Sequence, residues 1–147
     1  MDDFDDRILR TLRADGRLSN LALAERVGLS PSATLRRVSA LESRGVIRGY
    51  RARIDPMKVG NGFVAYVTVG LGLHTKAAQQ TFEAAVAHAP EVVECHNTTG
   101  PFEYLLRIEA QDLAAYKHFH TEVLGTLPQV TALTSYVVMG SPKDLRD

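Results

Sequence analysis

The sequence predicts an α+β chain with an all-helical first part and a second part in which strands and helices alternate. Three observations support this prediction. Apolar residues recur at helical spacing through the first 45 residues, β-branched residues alternate with polar ones just after them, and two helical segments lie among four strand-like runs beyond residue 62. The predicted fold is an N-terminal winged helix-turn-helix followed by a ferredoxin-like βαββαβ sandwich domain.

Three helices are predicted in the first 45 residues. Asp5 or Asp6 can cap the first helix. Ser30 followed by Pro31 is typical of the start of the third, because serine caps a helix and proline fits its first turn. Glycines are placed to end the three helices, namely Gly16, Gly28 and Gly45. A short helix, a glycine-containing turn and a second helix predict a helix-turn-helix.

The pattern changes after the third helix. Residues 46–54 alternate and include three arginines, which predicts a wing or a linking strand. Asp55-Pro56 and Gly60-Asn61-Gly62 are typical of turns and mark a boundary. We therefore expect a first domain over residues 1–54, a linker over 55–62, a second domain over 63–140 and a polar tail over 141–147.

The second domain is predicted to alternate strands and helices. Strands are expected over residues 63–73, 91–99, 102–110 and 130–139, with one helix from Thr75 or Thr81 to His88 and another from Asp112 to Leu127. In the resulting βαββαβ order both helices cover one face of an antiparallel sheet. Val64 and Tyr66 lie on the opposite face, so we expect that face to pack on a second copy of the chain.

Charge is distributed unequally along a chain whose formal net charge is zero. Residues 1–53 contain eleven arginines, no lysine and seven acidic residues, a balance of +4. Residues 54–147 contain six basic and ten acidic residues, a balance of −4. A basic domain joined to an acidic one predicts that the first binds a polyanion and that the second binds something else.

The composition is that of an ordinary globular protein, with 45% hydrophobic and 23% charged residues. No apolar run approaches the ~20 residues that cross a bilayer. The acidic start of the chain is unlike a secretory signal, and the single cysteine, Cys95, fits a reducing compartment. We therefore expect a cytoplasmic protein that has no membrane partner.

The third helix is the candidate reading helix for DNA. If Thr34, Val38 and Leu41 are buried, the side chains on its opposite face point outward and can reach base edges in a major groove. These outward residues are Ser32, Ala33, Arg36 and Arg37. Asn20 is a further DNA-contact candidate, and Arg17, Ser30 and Arg48 are candidates for phosphate contacts or domain packing. The alternative is that Arg36 and Arg37 form a solvated face, with one of them paired to Glu42.

Ordered motifs along nearly the whole chain resemble the Lrp/AsnC (feast/famine) family of transcription regulators. The first-domain motifs are Asp15-Gly16-Arg17-Leu18-Ser19-Asn20, Ser30-Pro31-Ser32 and Arg36-Arg37-Val38. The second-domain motifs are Tyr104-Leu105-Leu106, Leu127-Pro128 and Tyr136-Val137-Val138-Met139. The resemblance implies sequence-specific binding to double-stranded DNA at a palindromic operator and a second domain that binds an amino acid, with no other cofactor, no metal and no catalysis. It also implies a homodimer that assembles to a higher even oligomer such as an octamer.

The resemblance places the amino-acid effector between dimers, near the turn Gly100-Pro101-Phe102-Glu103-Tyr104. Relatives often carry Gly-Asp-Tyr/Phe-Asp-Tyr at this turn, so the first acid is replaced by proline and the second by Glu103. Glu103 can accept from an ammonium group, and Gly100 allows close backbone approach, whereas Pro101 has no N–H to donate. The other candidate effector contacts are Thr99, Tyr104, Gln129, Thr134 and Tyr136.

Three alternatives remain open from the sequence. The turn at Gly100-Pro101 could be only a tight hairpin from which ligand binding has been lost. The chain could then be an architectural DNA-binding protein without an effector. It could also resemble the sirohaem decarboxylases that share this two-domain plan, although His118 and His120 are two residues apart on one helix and so point in different directions.

Overall fold

The computed structural model of the chain describes residues 1–144. These residues form two compact units, Met1–Arg53 and Ile54–Asp144, and each has its own hydrophobic core. Residues 145–147 of the predicted polar tail lie outside the described residues, and residues 141–144 form no helix or strand. None of the helices within residues 1–144 is both long and apolar enough to span a membrane.

The first unit contains three helices, α1 (Asp3–Ala14), α2 (Asn20–Val27) and α3 (Pro31–Ser43). Helix α1 begins earlier than predicted, because Asp2 and not Asp5 or Asp6 caps it by accepting the backbone N–H groups of Phe4 and Asp5. Helix α3 begins as predicted, with the Ser30 side chain as its cap. The helix-turn-helix predicted from the glycine and serine positions is confirmed.

A small core fixes which side of α3 faces solvent. The buried apolar residues of the three helices are Ile8, Leu23, Ala24, Val27 and Leu41. Thr34 is also fully buried, and its hydroxyl donates a hydrogen bond of 3.0 Å to the Ser30 carbonyl. Because Thr34 and Leu41 face inward, Arg36 on the opposite side of α3 is exposed.

The strand predicted over residues 46–54 is absent. Within residues 1–144 this segment joins no ladder, and nearly all of its side chains are exposed. A strand needs a neighbour to receive its backbone hydrogen bonds, and the strands that pair within residues 1–144 all belong to the second unit. The apolar residues of the segment, including Val46, Tyr50 and Ile54, are exposed together with its polar ones. A single 3₁₀ turn, Pro56–Val59, follows within the predicted linker.

The second unit is a four-stranded antiparallel sheet with two helices, in the predicted βαββαβ order. Its elements are β1 (Phe63–Leu71), α4 (Lys76–Ala87), β2 (Val92–Asn97), β3 (Tyr104–Ala110), α5 (Leu113–Glu122) and β4 (Val130–Val137). The strands lie in the order β2-β3-β1-β4, with β1 paired to both β3 and β4. This is the ferredoxin-like arrangement expected from the sequence.

The core of the second unit lies between the sheet and its two helices. Phe82 of α4 packs on Tyr104 of β3 with their ring centroids 4.6 Å apart, and Tyr116 of α5 stacks on Phe63 at 4.8 Å. The opposite face of the sheet carries Tyr66, which the register places between Arg107 of β3 and Tyr136 of β4. Tyr136 is 57% exposed, so residues 1–144 leave part of this apolar face uncovered.

Candidate nucleic-acid interface and candidate ligand site

The start of α3 is held in place by hydrogen bonds from its neighbours. The Asn20 side-chain amide donates to the Pro31 carbonyl at 2.8 Å, which ties the start of α2 to the first turn of α3. The Ser30 hydroxyl oxygen accepts the Ala33 backbone N–H at 3.2 Å and lies 3.3 Å from the Ser32 hydroxyl oxygen. The Asn20 amide nitrogen is therefore engaged within the chain, and its role in this structure is to position α3.

Arg36 is the candidate base-reading residue that α3 leaves available. Its side chain is exposed, and no acceptor among residues 1–144 is recorded for its guanidinium. Ser32 is exposed on the same helix and Ala33 is half-buried. A free arginine near the start of a helix of this kind can donate two hydrogen bonds to a guanine edge.

Arg37 is engaged in a different way from Arg36. Its guanidinium pairs with Asp2 at 2.9 Å and with Asp5 at 2.8 Å, and its central carbon lies 5.4 Å from the centroid of the Phe4 ring. These contacts join α3 to the start of α1. The proposed pairing with Glu42 is wrong, because Arg37 pairs with α1 and Glu42 instead accepts from the Tyr50 hydroxyl at 2.9 Å.

We expect Arg37 to be responsible for part of the stability that the first unit loses as the pH falls. The Asp5 backbone N–H and the Arg37 guanidinium hold the pKa of Asp2 below its ordinary value of 3.8. A lowered folded-state pKa stabilises the fold fully above the unfolded-state value, and this contribution is lost as the pH falls through the folded-state value. We expect Arg37→Gln to lower the melting temperature at about pH 6, and to reduce the further fall on going to about pH 3.

Melting curves of the Arg37→Gln variant at the two pH values measure this dependence. Arg26→Gln is the matched control, since Arg26 is an exposed arginine of α2 in the same unit. If the melting temperature of the Arg37→Gln protein falls between the two pH values by as much as that of the wild type, the ion pair contributes nothing to the pH dependence of stability.

The remaining predicted DNA contacts lie on the surface of the first unit. Arg17 and Arg48 are exposed, and the Arg17 backbone N–H donates to the Asp15 carboxylate at 3.0 Å. The pairing of Arg37 with Asp2 and Asp5 was not predicted from the sequence. The cluster of four acids in the first six residues was the available signal, but only the folded chain shows that it meets α3.

Glu103 lies at the end of β1, as part of a polar cluster. One carboxylate oxygen accepts the Leu71 backbone N–H at 2.6 Å, and the other lies 2.8 Å from Nδ1 of His74. The Glu103 side chain is 15% exposed, whereas that of His74 is 77% exposed. His74 was not predicted as a site residue, because its place beside Glu103 depends on the register of two strands that are distant in sequence.

The turn before Glu103 depends on glycine. Gly100 has φ of 121°, a conformation that side-chain-bearing residues rarely adopt, and a Cβ built there would contact no atom within 4 Å. The Thr98 backbone N–H closes the turn by donating to the Glu103 carbonyl at 2.8 Å. Thr99 is exposed beside it. The position therefore favours glycine for its backbone conformation and leaves open space above it.

The other predicted effector residues do not all meet Glu103 within one chain. The Gln129 carbonyl accepts the Gly72 N–H at 2.9 Å, which places Gln129 beside the end of β1 that Glu103 also contacts. Its side-chain Nε2 is buried without a partner among the described residues. Thr134 and Tyr136 pair with Thr68 and Tyr66 of β1. Tyr136 lies opposite Tyr66, which is five residues before Leu71, so it is about 17 Å from that end of β1.

Tyr104 points away from the Glu103 cluster. Its hydroxyl donates to the Glu83 carboxylate of α4 at 2.7 Å, and the residue is only 1% exposed. Burial and the neighbouring Glu83 carboxylate raise the pKa of Tyr104 to about 12. Glu103 precedes β3 and its carboxylate contacts the Leu71 N–H and His74, whereas the Tyr104 hydroxyl contacts Glu83, so the two side chains engage different groups.

Comparison with known proteins gives the same two-part division. Residues 1–48 match the family described as winged helix-turn-helix DNA-binding, and residues 64–147 match the Lrp/AsnC ligand binding domain. A proline dehydrogenase transcriptional activator of Rhodobacter capsulatus is 42% identical over 95% of this chain and 90% of its own length. The leucine-responsive regulatory protein of Salmonella typhimurium is 39% identical over 97% of this chain and 87% of its own length.

Solved structures are also similar over almost the whole chain. A transcriptional regulator from Neisseria meningitidis in complex with L-Met has a TM-score of 0.94 and 38% identity, covering 98% of this chain and 93% of that one. An AsnC family transcriptional regulator from Agrobacterium tumefaciens has a TM-score of 0.92 and 34% identity, covering 98% and 94%.

Proposed function

Because the chain belongs to the Lrp/AsnC family of DNA-binding transcriptional regulators, we propose that it reads a palindromic operator through α3 and that an amino acid controls its occupancy. The single observation that carries the DNA-binding half is the exposed guanidinium of Arg36, which has no partner among residues 1–144, on a helix whose other face is buried. The relatives are transcriptional regulators, so the decarboxylase hypothesis is dropped.

The proposed DNA contacts divide into reading and positioning residues. Arg36 donates to a guanine edge, and Ser32 and Ala33 lie near it at the start of α3. Arg17 and Arg48 contact phosphates, which give affinity without reading sequence. Asn20, Ser30 and Arg37 hold α3 in place through the hydrogen bonds and ion pairs that they form within the first unit. We propose that the protein is cytoplasmic, as expected for a DNA-binding regulator of this family.

We propose that Glu103 receives the ammonium group of the amino-acid effector. The carboxylate already accepts the Leu71 N–H on one oxygen, and His74 occupies the other. We propose that an ammonium group takes the place of the exposed His74 ring on this oxygen, where it forms a charge-assisted hydrogen bond. Gln129 lies beside the same end of β1, and we propose that Thr99 and Gly100 complete the site. The L-Met bound to the Neisseria meningitidis regulator supports an amino acid as the class of ligand.

The uncovered sheet face supports assembly of the chain. Tyr66 and Tyr136 lie side by side on this face, and Tyr136 is largely exposed. Packing two such faces together would remove apolar surface from water. We propose a homodimer through this face and an octamer built from dimers, with Thr134 and Tyr136 contributed to the effector site by a neighbouring copy. Paired α3 helices would then meet half-sites about one or more helical turns apart.

A thermal-shift screen against the twenty amino acids tests the effector proposal. A ligand that binds only the folded state increases the free energy of unfolding, by about 2.7 kcal/mol at a hundred times its dissociation constant. The apparent melting temperature rises accordingly. We expect one or two amino acids to raise it in a concentration-dependent way. Equal responses to all twenty would show nonspecific stabilisation and contradict a dedicated site.

An architectural DNA-binding protein without an effector is the second candidate. The observations that favour it are that Pro101 has no N–H for a ligand carboxylate and that Glu103 is already engaged within the chain. This candidate predicts no response to any amino acid together with intact DNA binding.

A further inference from the structure

We propose that a cavity between α4 and β2 binds a small aliphatic ammonium compound that lacks a carboxylate. The cavity has a volume of about 280 Å³, near the lower end of the range for small-molecule sites. Its walls are formed by Glu83, Val86 and Ala87 of α4, by residues 92–95 and Asn97 of β2, and by Tyr104 of β3. This volume suits a ligand of a few heavy atoms.

The negative charge of the cavity wall favours a positively charged ligand. Glu83 and Glu94 are the charged side chains that line the cavity, and none of the lysines and arginines within residues 1–144 lines it. Glu94 lies 3.4 Å from His96, so Glu83 is the principal acceptor for a cation. Among the described residues no group of three or more metal-ligating side chains is placed to hold a metal ion, which favours an organic cation.

Tyr104 holds Glu83 in place at the cavity. Its buried hydroxyl donates to one carboxylate oxygen of Glu83 at 2.7 Å. A carboxylate has about four lone-pair positions, so the same group can accept a further donor from an ammonium ion. Partial burial and the Glu83 carboxylate raise the pKa of the Cys95 thiol, which lines the same cavity. Val86 and Val92 supply apolar contact for an alkyl chain.

This cavity differs from the proposed effector site in place and in chemistry. Glu103 lies at the end of β1, whereas Tyr104 turns to the helix-covered side of the sheet. An α-amino acid would bring a carboxylate toward Glu83 and Glu94, where like charges repel it. An amine without a carboxylate avoids this repulsion. The two sites are therefore expected to bind different classes of molecule.

Cys95 provides a reporter, because it is the single cysteine of the chain and lines the cavity. The test measures the rate at which the native protein reacts with Ellman's reagent at about pH 8.5, near the ordinary thiol pKa. n-Butylammonium chloride, n-butanol and sodium butyrate are the probes, each at matched ionic strength. We expect n-butylammonium to slow the reaction to a saturating limit, and butanol and butyrate to leave the rate unchanged.

Glu83→Gln is the decisive variant, since the amide oxygen can still accept from Tyr104 while the charge is lost. Protection is expressed as a ratio to the rate without probe, because removing the Glu83 charge also changes the basal reactivity of Cys95. We expect the half-protecting concentration of n-butylammonium to rise about tenfold or more. Glu122→Gln on α5, an exposed acid away from the cavity, should leave this concentration unchanged.

Three results would overturn the proposal. Equal protection by butanol would show that apolar filling alone is responsible. Unchanged protection in Glu83→Gln would remove the proposed acceptor. A Cys95 that reacts only after denaturation would show that another copy of the chain covers the cavity. None of these results bears on DNA binding by α3 or on the response to amino acids, so the proposed function is tested separately.

Discussion

Replacing Arg36 with alanine is expected to weaken specific DNA binding by about tenfold to a hundredfold for each half-site. A bidentate arginine–guanine contact contributes about 1–3 kcal/mol of discrimination, and Arg36 is the exposed arginine of α3 with no recorded partner among residues 1–144. A dimer on two half-sites would lose this contribution twice. Fluorescence anisotropy on DNA from upstream of the chain's own gene, with random DNA as competitor, measures the specific affinity.

The contrast with Arg37 makes the Arg36 result interpretable. Arg37 is paired with Asp2 and Asp5, so Arg37→Ala should lower the melting temperature and reduce affinity without changing which base is preferred. Arg36→Ala should leave the melting temperature unchanged and lose the preference at one base position. Lys117→Ala in α5 removes an exposed charge from the other unit and serves as the control. If Arg36→Ala keeps full affinity and full base preference, Arg36 does not read DNA.

Replacing Glu103 is expected to abolish the amino-acid response altogether. Glu103→Gln keeps an oxygen that can accept the Leu71 N–H but loses the charge that an ammonium group needs. Its melting temperature without ligand should therefore stay close to that of the wild type, while the ligand-induced rise disappears. Glu103→Ala leaves the Leu71 N–H without this acceptor, which should also destabilise the second unit by about 1–3 kcal/mol.

The two Glu103 variants separate a ligand contact from a structural one. If Glu103→Gln responds like the wild type and only Glu103→Ala is affected, the carboxylate supports the end of β1 and does not bind the ligand. Glu122→Gln is the control, as an exposed glutamate of the same unit. His74→Ala should strengthen ligand binding, because the ammonium group would no longer compete with the imidazole for Glu103.

Local signals in the sequence were sufficient to predict most of the fold. Ser30 and Pro31 define the start of α3 because capping and proline geometry act within one turn of a helix. Gly28, in the left-handed conformation, ends α2 for an equally local reason. The βαββαβ order follows from periodicity, which is a property of each segment by itself.

Features that depend on distant partners could not be predicted in the same way. The strand expected over residues 46–54 fails because alternation does not show whether a neighbouring strand exists. The pairing of Arg37 with Asp2 spans 35 positions, and the contact of Glu103 with Leu71 spans 32. Tyr104 was grouped with Glu103 because the two are adjacent in sequence, although in the folded chain Glu103 contacts Leu71 and His74 while Tyr104 contacts Glu83 of α4.

The most direct test of a DNA-binding regulator controlled by an amino acid is a DNase I footprint on the chain's own upstream DNA, made with and without the amino acid identified by thermal shift. We expect protected half-sites spaced by whole helical turns, and a change in their occupancy or spacing when the amino acid is added. No protection above that given by random DNA would contradict sequence-specific binding. Protection that the amino acid leaves unchanged would contradict control by an effector.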